Sequence, residues 1–97
     1  MATYIVLINY TEQGIKNVKD SPSRLDAARQ MMKDMGGELK DTYLTIGNYD
    51  LVAVVEAPSD EILARFALKL GSLGNIRTTT LRAFNEAEYR DIVQSLG

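Results

Sequence analysis

The hydrophobic pattern is clearest in two short segments, residues 5–8 and 51–55, which are apolar at every position. A strand with one face in water alternates apolar and polar residues, whereas these segments carry no polar residue on either face. Both segments therefore predict strands at the centre of a sheet that is covered on both sides. The chain has too few helices for both sides, so we expect a second copy of the protein to cover one of them.

The spacing of apolar residues and the residues that interrupt it predict four strands, two long helices and a terminal helix. The strands are expected at residues 3–10, 39–46, 51–57 and 76–84. The helices are expected from Ser21 to about Met35, from the Ser59 cap to Gly71, and after Asn85, with a short helical turn near residues 15–18.

Local signals mark several ends of these elements. Ser21 precedes a proline and is predicted to cap the first long helix. Gly47-Asn48 predicts a hairpin, because both residue types tolerate a positive φ. Asn85 and Glu88 have the spacing of a capping box. The apolar stripe of the last helix is expected to point inward; it consists of Tyr89, Ile92, Val93 and Leu96.

The order β-α-β-β-α-β, followed by a terminal helix, predicts an α+β, ferredoxin-like fold with a four-stranded antiparallel sheet. Right-handed crossovers place the first and third strands at the centre and both long helices on one face. The polarity of the strands agrees, because the second and fourth carry the charged residues that belong at sheet edges. The face opposite the helices is expected to pair with a second copy, sheet to sheet.

Composition limits the classes of function. At 97 residues, with 45% hydrophobic and 25% charged residues, the chain is expected to form one domain over residues 1–97. The net charge is −2, and the eleven Lys and Arg residues form no cluster, so neither a nucleic-acid nor a membrane partner is expected. The first apolar run ends at Asn9, too early for a signal peptide or a membrane span, which predicts a cytoplasmic protein.

The chain contains no cysteine and no histidine. This excludes disulfides, thiolate nucleophiles, serine–histidine catalysis and metal sites built from Cys or His. No metal and no cofactor is therefore expected. Acid–base catalysis would require a carboxylate or lysine with a shifted pKa, or a tyrosine.

An ordered set of short motifs spans nearly the whole chain. The most distinctive is Gly47-Asn48-Tyr49-Asp50, a G-x-Y-D sequence at the predicted hairpin. Further motifs are Thr11-Glu12-Gln13-Gly14, Lys19-Asp20-Ser21 with Arg24, Tyr43-Leu44-Thr45, Val55-Glu56-Ala57-Pro58 and Gly74-Asn75-Ile76-Arg77-Thr78. With these motifs the chain resembles the GYD domain family of small, mostly bacterial proteins. The resemblance implies a dimeric α/β barrel and supplies no reaction.

Five residues are candidate ligand contacts. The Tyr49 hydroxyl and the Asp50 carboxylate could orient a small ligand at a pocket mouth, or they could serve only the turn. Arg77 could hold an anionic group through two hydrogen bonds, or it could only place a charge on an edge strand or form an ion pair at an interface. Tyr10 and Tyr43 could line a cavity for a flat organic molecule, or pack in the core or at an interface.

The leading hypothesis is a homodimer, or a higher homo-oligomer, that binds a small apolar or weakly acidic organic ligand. One alternative, suggested by other proteins with the implied barrel, is a cofactor-independent enzyme of the monooxygenase or isomerase type, acting on a small aromatic or quinone-like substrate. Its chemistry would rest on Tyr10, Tyr49, Asp50 and Arg77, and no catalytic residue is assigned. The other alternative is a purely structural oligomerisation module.

Overall fold

A four-stranded antiparallel sheet forms the centre of the molecule in the computed structural model, which describes residues 1–97. The strand order is β2-β3-β1-β4, so the two apolar strands are central and the predicted ferredoxin-like fold is confirmed. The strands are β1 at Ala2–Tyr10, β2 at Glu38–Leu44, β3 at Leu51–Ala57 and β4 at Ile76–Ala83.

Four α-helices and one 3-10 turn complete the structure. The helices are α1 at Glu12–Lys16, α2 at Ser21–Asp34, α3 at Asp60–Ser72 and α4 at Glu86–Gln94. The prediction that Ser21 caps α2 is wrong, because the 3-10 turn at Val18–Asp20 runs directly into the helix and leaves Ser21 as its first residue. Ser59 caps α3 as predicted, and its hydroxyl accepts a hydrogen bond from the Ile62 N–H at 3.3 Å.

Helices α2 and α3 lie against one face of the sheet. Along β1 the buried residues alternate, and Val6 pairs with Ala53 of β3 on one side and with Thr80 of β4 on the other. Met32 of α2 and Val55 of β3 have no measurable exposure. The hydrophobic core therefore lies between the sheet and these two helices.

The opposite face of the sheet has no covering element. The strand register places alternate side chains of all four strands on this surface, which we call the open face. Its apolar and aromatic residues are Ile5, Leu7, Tyr43, Val52, Val54 and Leu81. Tyr43 is 59% exposed and Leu81 is 47% exposed, although both lie on strands of the sheet. One chain thus leaves the second side of its apolar central strands in contact with solvent.

Helix α4 is well capped but unpacked. Asn85 and Glu88 form both bonds of the predicted capping box, each at 2.9 Å. The expectation that its apolar stripe points inward is wrong for the single chain, because no residue of α4 is buried. The helix side of the sheet is already occupied by α2 and α3, which leaves no core surface for α4 to cover.

The loop between β2 and β3 contains the G-x-Y-D motif. Gly47 has a φ of 132°, whereas Asn48 does not adopt a positive φ. The loop is closed by the Thr45 N–H, which donates to the Asp50 carbonyl at 2.9 Å, and by the Thr45 hydroxyl, which donates to the Tyr49 carbonyl at 2.5 Å. Only the glycine of the predicted pair therefore uses the left-handed region.

Tyr4 connects β1 to the start of α3. Its hydroxyl donates a hydrogen bond to the Asp60 carboxylate. Burial raises the pKa of Tyr4, the bond to Asp60 and the negative charge of that carboxylate raise it further, and Arg82 opposes the shift. The phenol therefore stays protonated at neutral pH and remains a hydrogen-bond donor.

Gly14 allows α1 to approach the loop before β4. A Cβ atom at this position would lie 1.9 Å from the Asn75 carbonyl oxygen, so Gly14→Ala is expected to lower the free energy of unfolding by about 1–3 kcal/mol. Gly71→Ala is the matched control, since a Cβ there meets nothing within 4 Å. Urea unfolding checks both variants, and equal stability of the two would contradict the close approach at Gly14.

Candidate functional site

An apolar cavity of about 140 Å³ lies between the sheet and helices α2 and α3. Fourteen of its eighteen lining residues are hydrophobic. Ala28 of α2 and Ala53 of β3 contribute to the space, because each carries only a methyl group where larger side chains would fill the gap. The other hydrophobic side chains include Val6, Ile8, Leu25, Leu39, Val55 and Phe66.

Thr42 is the one polar residue of the sheet among those that line the cavity, and an irregularity in β2 places it on the helix side. Leu39 pairs with Val55 on the helix side, and the register then shifts before Asp41, so that Thr42 pairs with Ala53 on the same side. The Thr42 Oγ1 atom is buried and is the only buried side-chain nitrogen or oxygen without a hydrogen-bond partner in the protein. A buried hydroxyl without a partner lowers the free energy of unfolding by roughly 1–3 kcal/mol.

The remaining polar lining residues are Ser21, Arg24 and Asn75. Arg24 donates to the backbone carbonyls of Asn17 at 3.1 Å and Gly14 at 3.4 Å, and it takes part in none of the three ion pairs of the structure. It is the only ionisable residue that lines the cavity. Because a guanidinium stays protonated in proteins, Arg24 offers charge and hydrogen bonds but no proton transfer.

The structure brings together two of the five predicted ligand contacts. The Asp50 carboxylate accepts a hydrogen bond from the Tyr10 N–H at 2.9 Å, and the Asp50 N–H donates to the Ile8 carbonyl at 2.9 Å. Through these two hydrogen bonds, Asp50 continues the pairing between β1 and β3 into the loop. The Tyr10 hydroxyl lies 2.9 Å from the hydroxyl of Ser21, which is one of the residues that line the cavity. Tyr49 is half-buried in the loop.

The other two predicted contacts lie apart from this pair. Tyr43 is on β2 and Arg77 is on β4, which are opposite edges of the sheet. Tyr43 pairs with Val52 and Arg77 with Asn9, so both point to the open face. None of the five residues lines the cavity, and their role as ligand contacts stays a prediction.

Sequence reasoning missed Thr42 as a functional candidate. Strict alternation from the buried Leu39 would place Asp41 on the helix side and Thr42 on the open face. The shift between Leu39 and Asp41 reverses that assignment, and it arises from pairing with β3. No local sequence signal predicts this register shift.

The family model described as the GYD domain matches residues 4–93. The chain belongs to the GYD domain family. The predicted resemblance is thereby confirmed. A curated relative, the "Glutamine synthetase and cystathionine beta-lyase binding protein" of Thermus thermophilus, is 36% identical over 89 residues. The alignment covers 91% of this chain and 94% of that relative.

Solved structures share the fold of this GYD-domain chain. A crystal structure of a protein from Thermus thermophilus matches with a TM-score of 0.56 and 29% identity, over 88% of this chain and 95% of the other. A feast or famine regulatory protein from M. tuberculosis, complexed with L-methionine, matches with a TM-score of 0.67 and 19% identity. That match covers 88% of this chain and 51% of the regulatory protein, so the GYD-domain chain spans about half of its length.

No helix of the GYD-domain structure combines the length and the apolar character needed to cross a bilayer. The longest, α2, has 14 residues, whereas a membrane-spanning helix needs about 20.

Proposed function

We propose that this chain is a cytoplasmic, homodimeric binding protein, formed by one domain over residues 1–97, that holds a small organic ligand between its helices and its sheet. The observation that carries the proposal is the apolar cavity of about 140 Å³, fourteen of whose eighteen lining residues are hydrophobic. An engineered apolar cavity of about 150 Å³ is large enough to bind benzene, so the cavity suits a ligand of about that size.

The chemistry of the lining supports binding rather than catalysis. General acid–base catalysis needs a group that exchanges a proton near neutral pH, and Arg24, the only ionisable lining residue, does not. The regulatory protein from M. tuberculosis is named as a complex with L-methionine. A protein of this fold thus holds a small organic molecule, which agrees with a ligand-binding role here.

Filling the cavity tests the ligand-binding proposal. Ala28 lines the cavity and is 7% exposed, so Ala28→Leu places three more carbon atoms in the space. We expect at least one probe from a panel of small phenols, quinones and carboxylates to raise the Tm of the wild type. Ala28→Leu is expected to abolish that shift, because the added side chain occupies the ligand volume.

The control for this experiment is Ala64→Leu, the same substitution on the exposed part of α3 and outside the cavity. It is expected to keep the ligand-induced shift of the wild type. The proposal would be contradicted if no probe raises the Tm, or if Ala28→Leu and Ala64→Leu respond alike.

The open face supports the homodimer. It is apolar at its centre and is bordered by charged residues, among them Arg77 and the Lys40–Glu56 ion pair at 3.7 Å. A second copy related by a two-fold axis presents the same surface to it. Pairing would remove the exposed side of β1 and β3 from water, and burial of apolar area contributes about 25 cal/mol per Å².

A charge at the centre of the open face is expected to separate the two copies. Leu7→Lys puts an ammonium group into the proposed interface, and desolvating an unpaired charge is strongly unfavourable. Sedimentation at micromolar concentration should give twice the 10.8 kDa chain mass for the wild type and the single mass for the variant. Leu68→Lys, at a 75% exposed position of α3, should remain dimeric; a monomeric wild type would refute the pairing.

A second candidate function is the binding of another protein through α4. The relative from Thermus thermophilus is named as a binding protein for glutamine synthetase and cystathionine beta-lyase. In this chain α4 presents an exposed apolar stripe, and a nine-residue helix gains little stability without packing. We therefore propose the α4 stripe as a contact for an enzyme of the kind named for the relative.

Purified glutamine synthetase is the probe for this second function. Ile92→Lys places a charge within the α4 stripe and is expected to weaken binding at least tenfold, measured by calorimetry with the wild type as reference. Ile15→Lys is the matched control, because Ile15 is similarly exposed and belongs to α1 rather than to the α4 stripe. Absence of binding by the wild type, or equal loss in both variants, would argue against α4 as the contact.

A further inference from the structure

We infer that the ligand is a small apolar monocarboxylate, with an apolar body of about six carbon atoms inside the cavity and a carboxylate at the cavity mouth, bound by the Arg24 guanidinium. This inference rests on the proposed ligand-binding function and names the chemical class of the ligand. It assigns recognition of the charged group to one residue in the first turns of α2.

The cavity has a buried interior and a more exposed end, between the start of α2 and the end of α3. In the interior, Ala53, Val55 and Phe66 are buried, whereas Arg24 is half-buried and Leu73 is 55% exposed. We call the exposed end the mouth; it consists of Ser21, Arg24, Leu73 and Asn75. Three of the four polar lining residues thus lie at the mouth, which suits a ligand with an apolar body and one polar end.

Two hydrogen bonds hold the Arg24 guanidinium beside the mouth. Its Nη1 atom donates to the Asn17 carbonyl at 3.1 Å, and its Nη2 atom donates to the Gly14 carbonyl at 3.4 Å. Gly14 lies directly against Asn75, since a Cβ atom on Gly14 would come within 1.9 Å of the Asn75 carbonyl oxygen. The guanidinium is therefore fixed close to a residue that lines the cavity.

The positive charge of Arg24 is not neutralised within the protein. Both of its acceptors are backbone carbonyls, it takes part in no ion pair, and no carboxylate lines the cavity. A guanidinium has five N–H donors, so three remain for a ligand. Two of them can bind one carboxylate in the paired geometry that arginine favours. A ligand carboxylate would thus supply the counter-charge that the chain itself does not.

The second mouth residue with free donors is Asn75. Its Oδ1 atom accepts a hydrogen bond from the Gln13 Nε2 atom at 2.9 Å, which leaves its NH₂ group as a donor. The mouth therefore offers donors from two side chains. A carboxylate only accepts hydrogen bonds, so its chemistry matches these donors.

The same residues disfavour a ligand that carries an amino group. An ammonium group at the mouth would meet the like charge of Arg24, and no lining carboxylate could pair with it. Removing an unpaired charge from water is strongly unfavourable. A free amino acid is therefore expected to bind less well than an acid of the same size without the amino group.

Benzoate and benzamide test the inference, because they have the same shape and differ in charge. By NMR titration at neutral pH, the wild type should bind benzoate about tenfold more tightly than benzamide, since hydrogen bonds to charged groups are the stronger ones. Benzylamine, which is a cation at neutral pH, should bind less tightly than benzamide. Ala28→Leu should block both benzoate and benzamide, which shows that the cavity holds the ring.

Arg24→Gln removes the charge and keeps an amide donor. It should lower the affinity for benzoate about tenfold and that for benzamide by less than about threefold, because the apolar interior is unchanged. Arg29→Gln is the matched control on the same helix; Arg29 lies outside the cavity, is exposed, and pairs with Asp26 at 3.6 Å. It should bind both probes like the wild type.

A measurement on the wild type remains decisive even if Arg24→Gln fails to fold. The Arg24 side-chain N–H resonance, identified by its absence from Arg24→Lys, should shift with benzoate and stay in place with benzamide. Benzoate bound no more tightly than benzamide, or equal responses of Arg24→Gln and Arg29→Gln, would overturn the carboxylate class while leaving ligand binding intact. Failure of every probe to bind the wild type would instead refute the proposed function itself.

Discussion

Strands β1 and β3 carry apolar side chains on both faces of the sheet, and both faces must be shielded from water. Helices α2 and α3 meet this requirement on one side, where Val55 and Met32 become fully buried. On the other side, the single chain supplies no element that covers the open face, and α4 has no place in the core. The strand order, the proposed pairing of two copies and the exposed last helix all derive from this one constraint.

Packing between the helices and the sheet is incomplete at one place. The core closes around Met32 and Val55, while Ala28 and Ala53 leave space between the helices and the sheet. Thr42 lines the same space, and its Oγ1 atom is buried in the protein without a hydrogen-bond partner. Natural proteins depart from good packing and full hydrogen bonding chiefly where function requires it. The coincidence of both departures at one cavity is the physical basis for proposing a binding site there.

The GYD-domain relatives and the regulatory proteins share a fold, and a fold by itself does not determine what is bound. Function must therefore be argued from the residues that line the site. Here the lining contains a threonine hydroxyl, a serine hydroxyl, an amide and a guanidinium among hydrophobic side chains. This set can recognise and orient a ligand, whereas it lacks a group that transfers protons at neutral pH.

The sequence by itself determined the order of the elements, the central position of β1 and β3, the bounds of β3 and the capping box at Asn85. These features follow from local polarity and from contacts between residues close in the chain. Only the tertiary structure decided the orientation of Thr42, the backbone role of Asp50 and the exposure of the α4 stripe. Each of these depends on pairing or packing with a distant segment, because a register shift or an uncovered surface exists only once the neighbouring strand or helix is in place.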